Sequence, residues 1–235
     1  MRRDLPEVES LLGKKAESPY PPAVVIEALS PLVSDERHAR IESVLNGRTR
    51  DVIPVLEGLT DPHNTAAVLR SADAFGIQEV HVIDEASRFV ASIRVTKGTE
   101  RWLDIVRSND TLSAVRALQS RGYKVLYASM EGSMTPEDLA SIDKVAIVFG
   151  NEHAGVSESM RQAADGSYRI AMRGFVESLN VSVAAGITLH EAMRNRTPHL
   201  DAEDRLALRA RFLMVSVDRA EMVVDEFARR AAKEE

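Results

Sequence analysis

The sequence predicts an α/β protein with a mainly parallel sheet, flanked by N- and C-terminal helices. Three observations carry this. Between residues 51 and 196, apolar strand-like runs alternate with amphipathic segments of helix length. Runs such as "KVAIVFG" are continuously apolar rather than alternating, as expected of strands covered on both faces. Helix punctuation also recurs where the alternation requires it: Asp61-Pro62 opens one segment and Gly76 closes it, and Gly122 closes another.

Taken in order, residues 1–34 hold four prolines within "SPYPPAVV" and "LSPLVS", which disfavours a long helix and predicts an extended, partly ordered arm. "SDERHARIESVLNGR" follows as a short basic helix within 35–50, with Ser34 as its cap, an apolar face of Ile41, Val44 and Leu45, and Gly47 at its end. "DVIPVLEGL" reads as a strand whose Pro54 suggests an edge or an irregular start. "DPHNTAAVLRSADAFG" reads as a helix, "EVHVID" and "WLDIVRS" as strands, "TLSAVRALQSRG" as a helix and "KVLYASM" as a strand. "TPEDLA" reads as a short helix capped by Thr135, "KVAIVFG" as a buried strand, "SESMRQAAD" as a helix and "YRIAM" as a strand. The helix "SLNVSVAAGITLHEAMRNR" closes this α/β domain at residue 196. Residues 197–235 form a helical extension, a long helix that can be broken, striped by Leu206, Leu208, Phe212, Leu213, Val217, Met222, Val223 and Phe227.

Composition narrows the function. The 235 residues contain no cysteine, so disulfides, thiolate–zinc sites and thiol catalysis are excluded and a reducing, cytoplasmic setting is expected. No apolar run approaches a membrane span, and no metal is expected, since His63 and His153 lack a second ligand at metal spacing. The net charge of −6 argues against a polyanionic partner, but the excess lies in residues 51–167, with 11 basic against 17 acidic side chains. Two local clusters are basic: Arg37, Arg40, Arg48 and Arg50; and Arg88, Arg94, Lys97, Arg101 and Arg107. Charge alone favours reading these as solvated faces over phosphate-binding patches.

In a parallel sheet, ligands collect at the carboxyl ends of the strands. Three predicted loops there carry unusual polar sets. The first holds Asp61, His63 and Asn64, with Arg70 further along an otherwise apolar helix. The second is Gly150-Asn151-Glu152-His153-Ala154-Gly155, and the third runs from Arg173 through Glu177, Ser178 and Leu179 to Asn180. Singly, each residue has an ordinary explanation: Ser178 as a helix cap, Asn64 as a partner for free backbone donors, Glu152 as a turn residue, Gly150 and Gly155 as turn glycines, Arg70 as a solvated cation. Dinucleotide fingerprint, P-loop and nucleophile elbow are all missing, so a pocket here would suit an adenosine-like ligand without a diphosphate.

Together the loops resemble the three signature motifs of the SPOUT class of methyltransferases, in its SpoU/TrmH branch. The motifs stand as "DPHNTAAVLRSADAFG", "VAIVFGNEHAGVSESM" and "YRIAMRGFVESLNVSVAAGITLHEA", in the family's order, within residues 36–196. The resemblance implies a trefoil knot in the C-terminal part of the domain, a homodimer, and S-adenosyl-L-methionine held around Ser129, Gly150, Ile170, Leu179 and Asn180. It implies a catalytic role for Arg70, serving the cofactor site of the other subunit, with Asn64, Glu152, Ser178 and Asn180 completing the site. Arg37, Arg40, Arg48, Arg94, Lys97, Arg194 and Arg196 would contact RNA phosphates. The implied reaction is methylation of a ribose 2′-hydroxyl in tRNA, at a D-loop guanosine. Ribosomal RNA as substrate, and an RNA-binding relative without catalysis, are the alternatives. Two features depart from the pattern: the arm of residues 1–34, and Glu177 where a glutamine is common.

Overall fold

The computed structural model describes residues 18–83 and 98–234. They divide into two compact units: residues 49–197, and residues 18–48 together with 198–234.

The first unit is a six-stranded parallel sheet with helices on its faces. Its strands are β1 (Val52–Glu57), β2 (Glu79–Ile83), β3 (Asp104–Ser108), β4 (Lys124–Ala128), β5 (Val145–Phe149) and β6 (Gly166–Tyr168), in the order β3-β2-β1-β5-β4-β6. Every residue of β1, β2 and β5 is buried, which explains the continuous apolar run of β5 and of β1 up to Glu57. The helices of this unit are α3 (Pro62–Ala74), α4 (Thr111–Ser120), α5 (Glu158–Ala163) and α6 (Val181–Met193). On one face Val115 and Leu118 of α4 and Met160 of α5 pack on Ile53, Val55, Val125 and Val148. Full burial of a side chain such as Leu118 contributes about 1.5–3 kcal/mol. Helices α3 and α6 pack against each other.

Several expectations change. Pro54 lies in β1, at the centre of the sheet rather than its edge, paired in register with Ile147 of β5; the ladder to β2 begins only at Val55. The missing proline donor is tolerated because the β2 ladder starts beyond it. The strand expected in "YRIAM" lies earlier, at Gly166–Tyr168, and "TPEDLA" forms a 3₁₀ turn over Glu137–Ser141 in which Asp138 accepts from the Thr135 N–H at 2.7 Å.

At the amino ends of the strands sits a buried ion cluster. Arg121 grips Glu79 with two bonds of 2.6 and 2.9 Å, His81 contacts it at 2.7 Å, and Arg50 spans Glu79 and Asp104. Burial pushes the Glu79 carboxyl up, but His81 and Arg121 outweigh it and hold the group well below the usual carboxylate range.

The second unit is helical: α1 (Pro22–Leu29), α2 (Asp35–Asn46), α7 (Ala202–Ser216) and α8 (Ala220–Glu234). Residues 18–34 are thus not extended. Pro22 stands in the first turn of α1, where its missing N–H costs nothing, and α1 buries Val25, Ala28 and Leu29. The remainder of the arm, before residue 18, lies outside the described residues. Ser34 caps α2, accepting from the Arg37 N–H as the sequence predicts. The C-terminal stripe breaks at Arg219, whose φ of 53° separates α7 from α8.

Candidate active site

The carboxyl ends of β1 and β5 and the segment after β6 meet through one chain of hydrogen bonds. After β1, Asp61 caps α3 by accepting from the His63 N–H at 2.8 Å, which sets Asn64 in the first turn with only 7% of its surface exposed. After β5 the chain makes a tight turn: Asn151 and Gly155 exchange two backbone bonds of 2.9 Å. Gly155 has φ +69°, and a Cβ on Gly150 would stand 2.4 Å from the Gly155 carbonyl carbon, so both glycines are required by the turn itself. Asn151 locks it, accepting from the His153 and Ala154 N–H groups and donating to the Gly58 carbonyl at 2.8 Å.

That turn delivers Glu152 to the start of α3. One carboxylate oxygen accepts from the Thr60 N–H (3.1 Å) and hydroxyl (3.0 Å), the other from Asn64 Nδ2 (2.9 Å) and the Asp61 N–H (3.4 Å). Burial pushes Glu152 up, but the bonds from Asn64 and Thr60 prevail and bring its carboxyl down to about 2. Asn180 completes the chain. It, not Ser178, caps α6: its Oδ1 accepts from the Ser182 N–H at 2.8 Å and its Nδ2 donates to Asn64 Oδ1 at 3.1 Å. Because Asn180 Oδ1 is committed to a backbone N–H, both amide orientations follow, and the bonds run in one sense from Ser182 through Asn180 and Asn64 to Glu152.

The expected site residues distribute as follows. Asn64, Glu152 and Asn180 come together. Ser178 is exposed in the segment leading to α6, and Leu179 beside it is partly buried. Ser129, Gly150 and Ile170 follow β4, β5 and β6, three adjacent strands, so they lie along one stretch of the sheet's carboxyl edge. Ser129 is fixed there by its N–H bond to the Tyr168 carbonyl at 2.9 Å. No cation belongs to this set, and half-exposed Ile170 and Leu179 offer apolar surface; the donor chemistry fits an adenosyl group and not a phosphate. Arg70 is exposed on a different face of α3 from Asn64, and its side chain bonds to no described residue.

The basic residues divide more sharply. Arg37 and Arg40 are exposed on α2. Arg194 is exposed but paired with Glu191 at 2.6 Å. Arg48 is only 2% exposed, so its burial rules it out as a phosphate contact. Arg196 is half-buried and donates to the Ala192, Asp143, Leu139 and Ile142 carbonyls; it ties the end of α6 to the 3₁₀ turn and has no fork left for RNA. Arg88, Arg94 and Lys97 lie outside the described residues. Asn151 stood in the second loop without a role; Thr60 was not singled out by sequence, nor was buried Glu57, which ends β1 and accepts from Ser157 and Thr111. An acid closing an apolar strand was the one signal available. Among the described residues no group of three or more acidic or histidine side chains could hold a metal, and no helix is long and apolar enough to cross a membrane.

Comparison with known proteins agrees with this geometry. A tRNA (guanosine(18)-2′-O)-methyltransferase of Borreliella burgdorferi is 35% identical over 178 residues, 75% of this chain and 82% of the relative. The crystal structure of the A. aeolicus TrmH/SpoU tRNA modifying enzyme superposes with a TM-score of 0.70 at 27% identity, covering 79% of this chain and 98% of that one. The SpoU methyltransferase AviRb of Streptomyces viridochromogenes, solved in complex with the cofactor AdoMet, gives a TM-score of 0.57 at 26% identity over 65% of this chain and 60% of that one. Residues 51–190, which span the sheet and all three loops, match the SpoU rRNA methylase family, and the chain belongs to it.

Proposed function

We propose that the protein methylates the ribose 2′-hydroxyl of a tRNA guanosine, at the position 18 named for its relatives, using S-adenosylmethionine. The observation that carries this is the hydrogen-bonded chain Glu152–Asn64–Asn180, which joins all three family motifs at the carboxyl edge of the sheet. S-Adenosylmethionine, when bound, supplies an electrophilic methyl group on a sulfonium. Ser129, Gly150, Ile170 and Leu179 would hold it, through backbone groups and apolar contact.

The chain's own residues must then present a poor nucleophile in line and stabilise it as its proton leaves. Glu152 is unsuited to take that proton: with its pKa brought down to about 2 the carboxylate is too weak a base, and four donors occupy its oxygens. Its role is to fix Asn64, and through it Asn180. Arg70 acts by electrostatics, its guanidinium holding a phosphate or the developing alkoxide. Arg70 does not reach the Asn64–Asn180 contact within its own chain, which supports a homodimer in which it serves the partner's site. The exposed pair Val183 and Ile187 on one face of α6 supports that dimer too. A trefoil knot is supported by the path after β6, which returns from the sheet's edge across β4 and β5 to reach Asn64. Arg37, Arg40 and Arg194 are the cations offered to RNA phosphates.

The test is transfer of labelled methyl from S-adenosylmethionine to tRNA and, separately, to ribosomal RNA, with mapping of the methylated ribose. Label on the tRNA D-loop guanosine is expected. Label on ribosomal RNA alone overturns the substrate and keeps the chemistry; label on neither overturns the function.

A further inference from the structure

The segment that carries Ser178 and Asn180 also carries an aromatic ring the fold does not cover. Phe175 has a relative exposure of 108% and Val176 of 61%, so folding buries none of the ring. Scattered exposed apolar residues are ordinary. Here, however, a whole ring and its apolar neighbour stand together in the segment that ends at the Asn180–Asn64 contact. The cations around it are also open: Arg169 and Arg173 are exposed and their guanidinium groups bond to no described residue, while Glu177 is the one acid from residue 169 to residue 180.

The geometry points to Phe175 as a stacking platform for an unpaired base of the RNA, next to the nucleotide whose ribose is methylated. This rests on the proposed RNA methyl transfer and deepens it. Unstacked bases settle on aromatic faces, and nearby guanidinium groups take the phosphates that come with them. A second copy of the chain is the competing occupant. Covering this loop with a second copy would also desolvate Arg169 and Arg173, with Glu177 the one carboxylate the segment itself supplies, which is costly; an RNA strand brings its own counter-charge. The ring therefore fits RNA better than protein, while Val183 and Ile187, on a helix face without cations, fit a protein partner.

The experiment compares wild type, Phe175→Ala and Phe175→Tyr for methyl transfer, for tRNA binding in the presence of S-adenosylhomocysteine, and for oligomeric state by sedimentation. Phe175→Ala is expected to weaken tRNA binding roughly 5- to 100-fold, the range of one lost stacked base. Phe175→Tyr, which keeps the ring, is expected to restore it, with binding of S-adenosylhomocysteine unchanged in both variants. Trp102 is the single tryptophan of the chain, so Trp102→Phe with Phe175→Trp leaves one indole on the platform, and tRNA is expected to quench its fluorescence. Equal tRNA binding by wild type and Phe175→Ala, or dissociation of the protein by that substitution, overturns the platform. A wild type that binds tRNA yet transfers no methyl to any RNA overturns the function and leaves the quenching result to decide the platform.

Discussion

Asn180 donates to Asn64 across 3.1 Å although the two side chains are 116 residues apart in sequence. This bond closes the polar chain that begins at Glu152, and each of its amides serves a donor on one side and an acceptor on the other. The site therefore behaves as a unit, and single substitutions propagate along it.

Asn64 is the link with partners on both sides. Asn64→Ala leaves Asn180 Nδ2 and Glu152 Oε1 each short of a partner, while Asn64→Asp also sets a carboxylate against Glu152. Methyl transfer is expected to fall in both variants and further in Asn64→Asp, where the unfolding temperature should drop as well. Equal activities in the two would show that donation to Glu152 is not what Asn64 supplies.

Glu152 gives a pH dependence of definite sign. Its folded pKa, about 2, lies below its ordinary value of 4.5. The stabilisation is fully present above 4.5 and is lost as pH falls toward 2. Acid unfolding of Glu152→Gln should be less steep than that of wild type across this window, with the Glu79 cluster still contributing in both. Superimposable acid limbs would contradict the donor set around Glu152.

Arg196 should matter for stability and not for RNA. Arg196→Ala withdraws the donors from four carbonyls, and leaving even one buried carbonyl unmet costs about 1–3 kcal/mol. The unfolding temperature is expected to fall by about 2–4 °C for each kcal/mol, with KM for tRNA unchanged. A raised KM at unchanged stability would return Arg196 to the RNA-binding set.

Arg70 tests the dimer. Arg70→Ala should abolish methyl transfer and keep cofactor binding. If Arg70 acts on the partner's site, mixing Arg70→Ala with Asn64→Ala subunits re-creates one intact site in each heterodimer. Partial recovery of activity on mixing is expected; none would place Arg70 in its own subunit's site.

The fold was readable where the pattern is local. The apolar runs of β1 and β5, the Asp61-Pro62 opening of α3 and the Ser34 cap of α2 stand in the sequence as they do in the structure. What escaped depends on neighbours far along the chain. Pro54 looked like an edge residue because nothing local tells that β5 pairs across it. Pro22 looked like a breaker because its favourable first-turn position depends on where α1 starts. Arg48 and Arg196 looked like RNA contacts because charge is visible in sequence and burial is not. In the site, Asn64, Glu152 and Asn180 were legible from their motifs, whereas Thr60, which gives Glu152 two bonds, has no sequence signature.

The central place of β1 has a consequence for biosynthesis. Its partner β5 begins at Val145, so a nascent chain that has emerged only through β4 shows one side of a strand that is apolar up to Glu57 as a raw edge, open to pairing with any other chain. Pairing with β5 removes that edge, so the unfinished domain is most open to aggregation until residues 145–149 have been made.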